Sequence, residues 1–181
     1  LKLDLLRSYP LPGWSIVLAE VGASTLLLTA IQFSLLVIGY LAFLGNDSMV
    51  PVLEDRTLLL AAAFVFLPGI NFLGMLIQNG AALLYPAWVR LGASRTGGVE
   101  ALGQSFLMMV AFAFLLGLTL ALPVGIGGGA LLLLRAPLDG WAVFPAGALV
   151  LSIIAYEAAL MVGWLGHLFE RTDPAAIGVG Q

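Results

Sequence analysis

The chain contains apolar segments that are too long and too poor in charge for the interior of a water-soluble domain of this size. The first, from Ile16 to Leu44, has one charged residue, Glu20. Hydrophobic residues make up 61% of the 181 residues and charged residues only 9%, so a soluble fold could not bury the apolar surface. We therefore expect an all-α, polytopic bundle of transmembrane helices surrounded by the lipid bilayer.

Hydropathy and turn residues predict a single transmembrane domain, residues 1–181, with about four spans. An amphipathic elbow helix is expected over 1–14, because Pro10 and Pro12 stop a short stretch of alternating leucines and charges. The spans are expected at 16–44, 57–89, 105–122 and 141–168, followed by a tail, 169–181. Pro68 predicts a kink or break in the second span. Pro123 and the glycines after it predict an outer loop over 123–140 with a short, half-buried helix.

The basic residues predict the orientation of the spans. With both termini cytoplasmic, five of the seven basic residues lie inside, Lys2, Arg7, Arg90, Arg95 and Arg171, and only Arg56 and Arg135 lie outside. The first residue is Leu1, which suggests the C-terminal fragment of a longer polypeptide. We expect a multi-pass protein of the inner (cytoplasmic) membrane.

Glu157 is a lone carboxylate inside the fourth span. An ionisable group at such a depth is costly and is expected to be functional or firmly partnered. We expect it to face protein or a cavity, either in a transport or gating role or as a hydrogen-bonded link between helices. The opposite face of the same helix carries small residues that predict close helix packing: Ser152, Ala155, Ala159, Gly163 and Gly166.

Four other polar residues of the predicted spans are candidate functional residues. Glu20 is expected near the cytoplasmic interface, where an anchoring role is the simplest explanation. Asn71 and Gln78 are seven residues apart and share a helix face, with Asn79 nearby. Interhelical hydrogen bonds explain these amides, and a substrate site is the alternative.

Several function classes find no support in the sequence. There is no cysteine, and His167, the one histidine, has no companions at ligand spacing, so we assign no metal-binding or cofactor-binding residue. A net charge of −3 without a basic stripe argues against nucleic acid as a partner. The glycines near Gly127 lack the Lys-Ser/Thr of a phosphate loop, and no catalytic residue is assigned.

Two segments resemble permease subunits of ABC-2-type exporters, in particular bacterial putative ABC exporters. The segment DLLRSYPLPGWSIVLAE, Asp4 to Glu20, is similar to the elbow that precedes a transmembrane helix in such permeases. The segment QNGAALLYPAWVRLGASRTGGVEALGQ, Gln78 to Gln104, resembles their amide-bearing helix end, Pro-Ala-Trp exit and glycine-rich cytoplasmic loop. Together these segments cover about a quarter of the chain.

The resemblance implies a membrane subunit that moves substrate with energy from a separate cytoplasmic ATPase. ATP would bind to that partner, because this chain has no Walker A sequence, and a second permease half or a homodimer would complete the transporter. The loop with Arg90, Arg95 and Glu100 is the expected ATPase contact. A non-transporting assembly or anchoring subunit is the alternative, and an intramembrane enzyme is a more distant one.

Overall fold

A computed structural model of the protein describes residues 12–43, 56–84 and 99–171, and it is helical almost throughout these ranges. The elements are α1 (Gly13–Phe43), α2 (Arg56–Leu84), α3 (Val99–Leu138), a 3-10 turn (Asp139–Ala142) and α4 (Val143–Arg171). The expected all-helical fold is confirmed. The predicted elbow, most of which precedes Pro12, lies outside the described residues.

The described helices form three stretches that are long and apolar enough to cross a membrane. They are Gly13–Ala42, Thr57–Leu84 and Ser105–Arg171, and the third contains most of α3, the 3-10 turn and α4. In the most apolar 18-residue segment of that third stretch, only 6% is buried by the rest of the chain. The large exposed apolar surface of this segment therefore requires an apolar solvent. These properties indicate a membrane protein.

The third helix differs most from the sequence prediction. We expected it to end at Leu122, but α3 continues through Pro123 to Leu138, so the predicted break and the outer loop over 123–140 are wrong. Pro123 is fully buried. A Cβ at Gly127 would overlap Val150 Cγ2 of α4. Packing against α4 therefore explains Gly127, and Pro123 is accommodated inside the bundle, although the sequence predicted a helix break at both.

Pro68 also lies inside a continuous helix. The second helix was expected over 57–89 and is described as Arg56–Leu84, without interruption at Pro68. The helix is therefore not broken at Pro68, and the predicted kink stays a prediction. Proline has no N–H and cannot donate to the carbonyl of Phe64, a defect that transmembrane helices tolerate when their neighbours pack closely.

Helices α2 and α4 form the centre of the bundle, since each of them contacts all three other helices. The buried core comes from α1, α2 and α4: Val17, Val21, Leu73, Leu76, Ile154, Ala158, Val162 and Leu165. Gly13 of α1 contacts Gly166 of α4, so the start of the first helix meets the end of the last.

Aromatic residues mark both ends of α4. Trp141, just ahead of the helix, is 73% exposed and Trp164 is 51% exposed. At 1.5 Å per residue their levels are roughly 35 Å apart, close to the thickness of a bilayer core with its interfaces. Such exposed tryptophans are typical of the two membrane–water interfaces.

Candidate functional site

Asn71 is the centre of a polar cluster between α1 and α2. Its Nδ2 donates to Thr29 Oγ1 over 2.9 Å and also to Gln32 Oε1 in a short bond. All three side chains lie in the seam between α1 and α2, which is mostly apolar. The hydrogen bonds satisfy the polar atoms that link the two helices, which supports the packing interpretation of Asn71.

The face of α1 that packs on α2 begins with apolar residues and becomes polar toward the middle of the helix. Val17 and Val21 are buried, and Thr25 and Thr29 follow one turn apart, each only 6% exposed. Thr25 Oγ1 is buried and has no hydrogen-bond partner. Unlike Thr29, it therefore adds an unsatisfied hydroxyl to the seam, at a cost that neighbouring van der Waals contacts must offset.

Glu157 lies on the face of α4 that contacts α3. It is seven residues, about two helical turns, from Val150, so the two share a helix face, and the Val150 side chain is the one that meets Gly127 of α3. Its Oε2 is buried and makes no hydrogen bond, although the residue as a whole is half-buried. The prediction that Glu157 is enclosed by protein is met for this oxygen, but the structure contains no hydrogen-bond partner for it among the described residues.

Asn71 and Glu157 lie at nearly the same depth in the bundle. A Cβ at Gly69 would lie 3.0 Å from Ile154 Cγ2, and one at Gly80 would lie 3.3 Å from Leu165 Cδ2. In both pairs the α4 residue follows the α2 residue by the same number of positions, so α2 and α4 run parallel in one register. This register places Asn71 of α2 level with Tyr156 of α4, the neighbour of Glu157. The polar cluster of the α1–α2 seam and the lone carboxylate of the α3–α4 seam therefore form one polar level.

This level is not far from one interface. Glu157 is seven residues from Trp164, about 10 Å along α4. The carboxylate is thus closer to the end of the bundle that contains the start of α1 than to the end that contains Trp141. A proton or a water molecule would reach it over a shorter path from that end.

The other amides and acids of the sequence prediction do not join this level. Gln78 and Glu20 are exposed on the outside of the bundle. Asn79 donates from Nδ2 to the Met75 carbonyl oxygen of its own helix, 2.9 Å away, so it does not link helices. Of the two amides that share this helix face, Asn71 forms hydrogen bonds to another helix and Gln78 does not, among the described residues.

The small residues of α4 form a packing seam only at their end. Ser152, Ala155 and Ala159 are exposed, and a Cβ at Gly163 would meet nothing within 4 Å. Within this chain the predicted stripe is therefore wrong for four of its five members. Gly166 is the exception: a Cβ there would lie 2.7 Å from Trp14 Cα. The buried face is formed by other residues, most of them larger: Ile154, Ala158, Val162, Leu165 and Phe169.

The close approach at Gly166 belongs to a junction that the sequence did not reveal. The backbone N–H of Gly13, the first residue of α1, donates to Glu170 Oε1 over 2.8 Å. His167 Nδ1 lies 3.8 Å from the other Glu170 oxygen. A carboxylate at the N-terminus of a helix accepts from a free N–H and stabilises the helix dipole. Only the antiparallel arrangement of the first and last helices brings these distant residues together.

The expected ATPase-contact residues cannot be placed. Arg90 and Arg95 lie outside the described residues, and of Glu100 only the backbone, in the first turn of α3, is described. Among the described residues, no group of three or more His, Asp or Glu side chains is arranged to hold a metal ion.

Comparison with known proteins gives no relative: no family model, no curated protein and no solved structure matches the chain.

Proposed function

We propose that this chain is the transmembrane permease part of an ATP-binding-cassette exporter of the inner membrane. The observation that carries the transport part of this proposal is Glu157, whose buried Oε2 has no hydrogen-bond partner among the described residues. A carboxylate kept without a partner inside an apolar bundle adds nothing to stability, so a role in binding or conformational change explains its presence better.

The exporter class rests on the two segments that resemble ABC-2-type permeases, 4–20 and 78–104. We propose a separate cytoplasmic ATPase as the partner that binds ATP, with a second permease half or a second copy of this chain completing the transporter. Arg90, Arg95 and Glu100 are the proposed contact with the ATPase. The four helices α1–α4 are proposed to cross the membrane once each.

The proposed orientation places both termini in the cytoplasm. The antiparallel packing supports alternation of the helix ends, because the start of α1 contacts the end of α4. Single cysteines at Ser48 and Ser94 test the orientation. We expect an impermeant maleimide to label intact cells at the first position and not at the second, and the reverse pattern would contradict it.

The transport function is tested with the full chain in proteoliposomes together with the ATPase that co-purifies with it. We expect ATP-dependent movement of a lipophilic dye, lost in Glu157→Gln while the variant still binds the ATPase and unfolds at the same temperature as wild type. Dye movement that is unchanged in Glu157→Gln would remove Glu157 from the proposal. Failure of any ATPase to co-purify would contradict the exporter class.

A non-transporting anchoring subunit is the second candidate. The observation that favours it is the Asn71 cluster, whose two hydrogen bonds join α1 to α2 and so serve helix association. In that case the chain would be needed for the stability of a larger membrane complex. Deletion of the chain would then lower the abundance of its partners, whereas Glu157→Gln would have no effect.

A further inference from the structure

A groove opens between α1 and α2 beside the Asn71 cluster. Its volume is about 490 Å³, within the range of small-molecule sites in proteins. It is lined by five apolar residues together with one amide and one phenol: Gln32, Leu35, Leu36, Gly39, Tyr40, Ala63 and Leu67.

The groove exists because two small residues oppose each other. Asn71 pairs with Thr29 and Gln32, and this antiparallel register places Gly39 of α1 opposite Ala63 of α2. A Cβ at Gly39 would meet nothing within 4 Å. The seam that large side chains close at Leu73 and Leu76 is therefore left open farther along, toward the end of α1.

The amide of Gln32 places hydrogen-bond donors in this groove. Its Oε1 accepts from Asn71, whereas its Nε2 donates to no other described residue. Gln32 Nε2 is not fully buried, and Gln32 lines the groove, so a molecule in the groove can reach this N–H donor. An accessible N–H without an acceptor is costly in hydrocarbon, and a bound molecule with an acceptor would remove that cost.

We propose that the groove binds an apolar molecule that carries a carbonyl or ether oxygen, with this oxygen accepting from Gln32 Nε2. Gln32 lies eight residues from Tyr40, about 12 Å along α1. A tyrosine near a helix end is typical of the interface, where the ester carbonyls of a phospholipid also lie. The acyl chain below them has no oxygen at the depth of Gln32, so an ordinary phospholipid leaves the amide unsatisfied.

The test uses the purified full chain in nanodiscs of saturated phospholipid and a 4-alkylbenzophenone, an apolar ketone that is its own photo-crosslinker. We expect saturable labelling of residues 32–40 and 63–67, measured by mass spectrometry. A long-chain aliphatic ketone should compete, and the alkane of equal length should not. Equal competition by the alkane would overturn the proposal, because it would show ordinary hydrocarbon filling the groove.

Two variants make the test specific. Gly39→Leu fills the groove without a clash and should reduce labelling about tenfold, whereas Gly22→Leu, on the same helix with equally open space, should not change it. Gln32→Leu should weaken labelling by the ketone about fivefold, the factor for one neutral hydrogen bond, and leave labelling by an alkyl diazirine unchanged. Wild-type labelling in Gly39→Leu would overturn the site.

The ligand could be a component of the membrane or a compound that the protein exports. Mass spectrometry of the protein purified from native membranes distinguishes these sources: a co-purified ketone, quinone or ether identifies a membrane component. Binding only of added ketone, with nothing co-purified, identifies a transported compound. The site goes beyond the proposed function and needs no ATPase, so its failure would leave the exporter proposal standing.

Discussion

The two outer seams of the bundle join their helices by different means. The α1–α2 seam contains hydrogen bonds, from Asn71 to Thr29 and Gln32, and the stacked rings of Phe33 and Phe64 with centroids 4.2 Å apart. The α3–α4 seam has a close backbone approach at Gly127 and an unpaired carboxylate at Glu157. Polar residues in a membrane protein therefore stabilise only where they find one another.

The largest expected effect comes from removing the close approach in the α3–α4 seam. Gly127→Leu should destabilise the protein by about 3 kcal/mol, because the new side chain would overlap Val150. Unfolding in detergent by a chemical denaturant measures the change. Gly128→Leu is the matched control, since a Cβ at Gly128 meets nothing within 4 Å. Equal loss in both variants would contradict the Gly127–Val150 contact as the cause, because leucine is a better helix former than glycine.

The second test addresses the hydrogen bonds of the α1–α2 seam. Asn71→Leu should cost about 1–2 kcal/mol, the sum of two membrane hydrogen bonds, because it leaves Thr29 and Gln32 without their shared donor. Asn79→Leu should cost less than about 0.5 kcal/mol, since that amide bonds only within its helix. If the two variants unfold alike, the Asn71 cluster does not link the helices.

The third test has the opposite sign. Glu157→Leu should raise the free energy of unfolding by about 1 kcal/mol, because it removes a buried oxygen that has no partner. We expect the same variant, Glu157→Leu, to be more stable than wild type and to lose transport. A destabilised Glu157→Leu would show that the carboxylate has a partner in the assembled protein, and the contrast between the two seams would then disappear.

The smallest effect is expected on the outer face of α4. Gly163→Leu should change the free energy of unfolding by less than about 0.5 kcal/mol, since its Cβ would lie in open space. Measurement at low protein concentration keeps any self-association out of the result. A large loss there would restore the small-residue stripe as a packing surface, this time against a second chain.

The sequence predicted the helices of this protein better than their contacts. Length and hydropathy were sufficient for α1, because few other structures suit a long apolar segment with one charge. They could not identify the packing face of α4, because lipid and protein interior are equally apolar and hydrophobic periodicity disappears. Small residues did not identify the packing face of α4 either. Gly163 and Gly166 are three positions apart, yet of these two glycines only Gly166 contacts the backbone of another helix.

Prolines and polar residues were misjudged for a related reason. Pro123 predicts a break from local rules, but its burial depends on long-range helix packing that local rules ignore. Asn71 and Gln78 share a helix face, yet only Asn71 lies opposite acceptors on α1. Which polar residue is satisfied depends on the register of two helices, and that register is set by side chains across the whole seam.

The hydrogen bond between Gly13 and Glu170 makes the bundle a closed ring of helices. The first turn of α1 is held against the last turns of α4. The start of the first helix therefore cannot separate from the end of the last helix without losing this hydrogen bond and the close contact at Gly166.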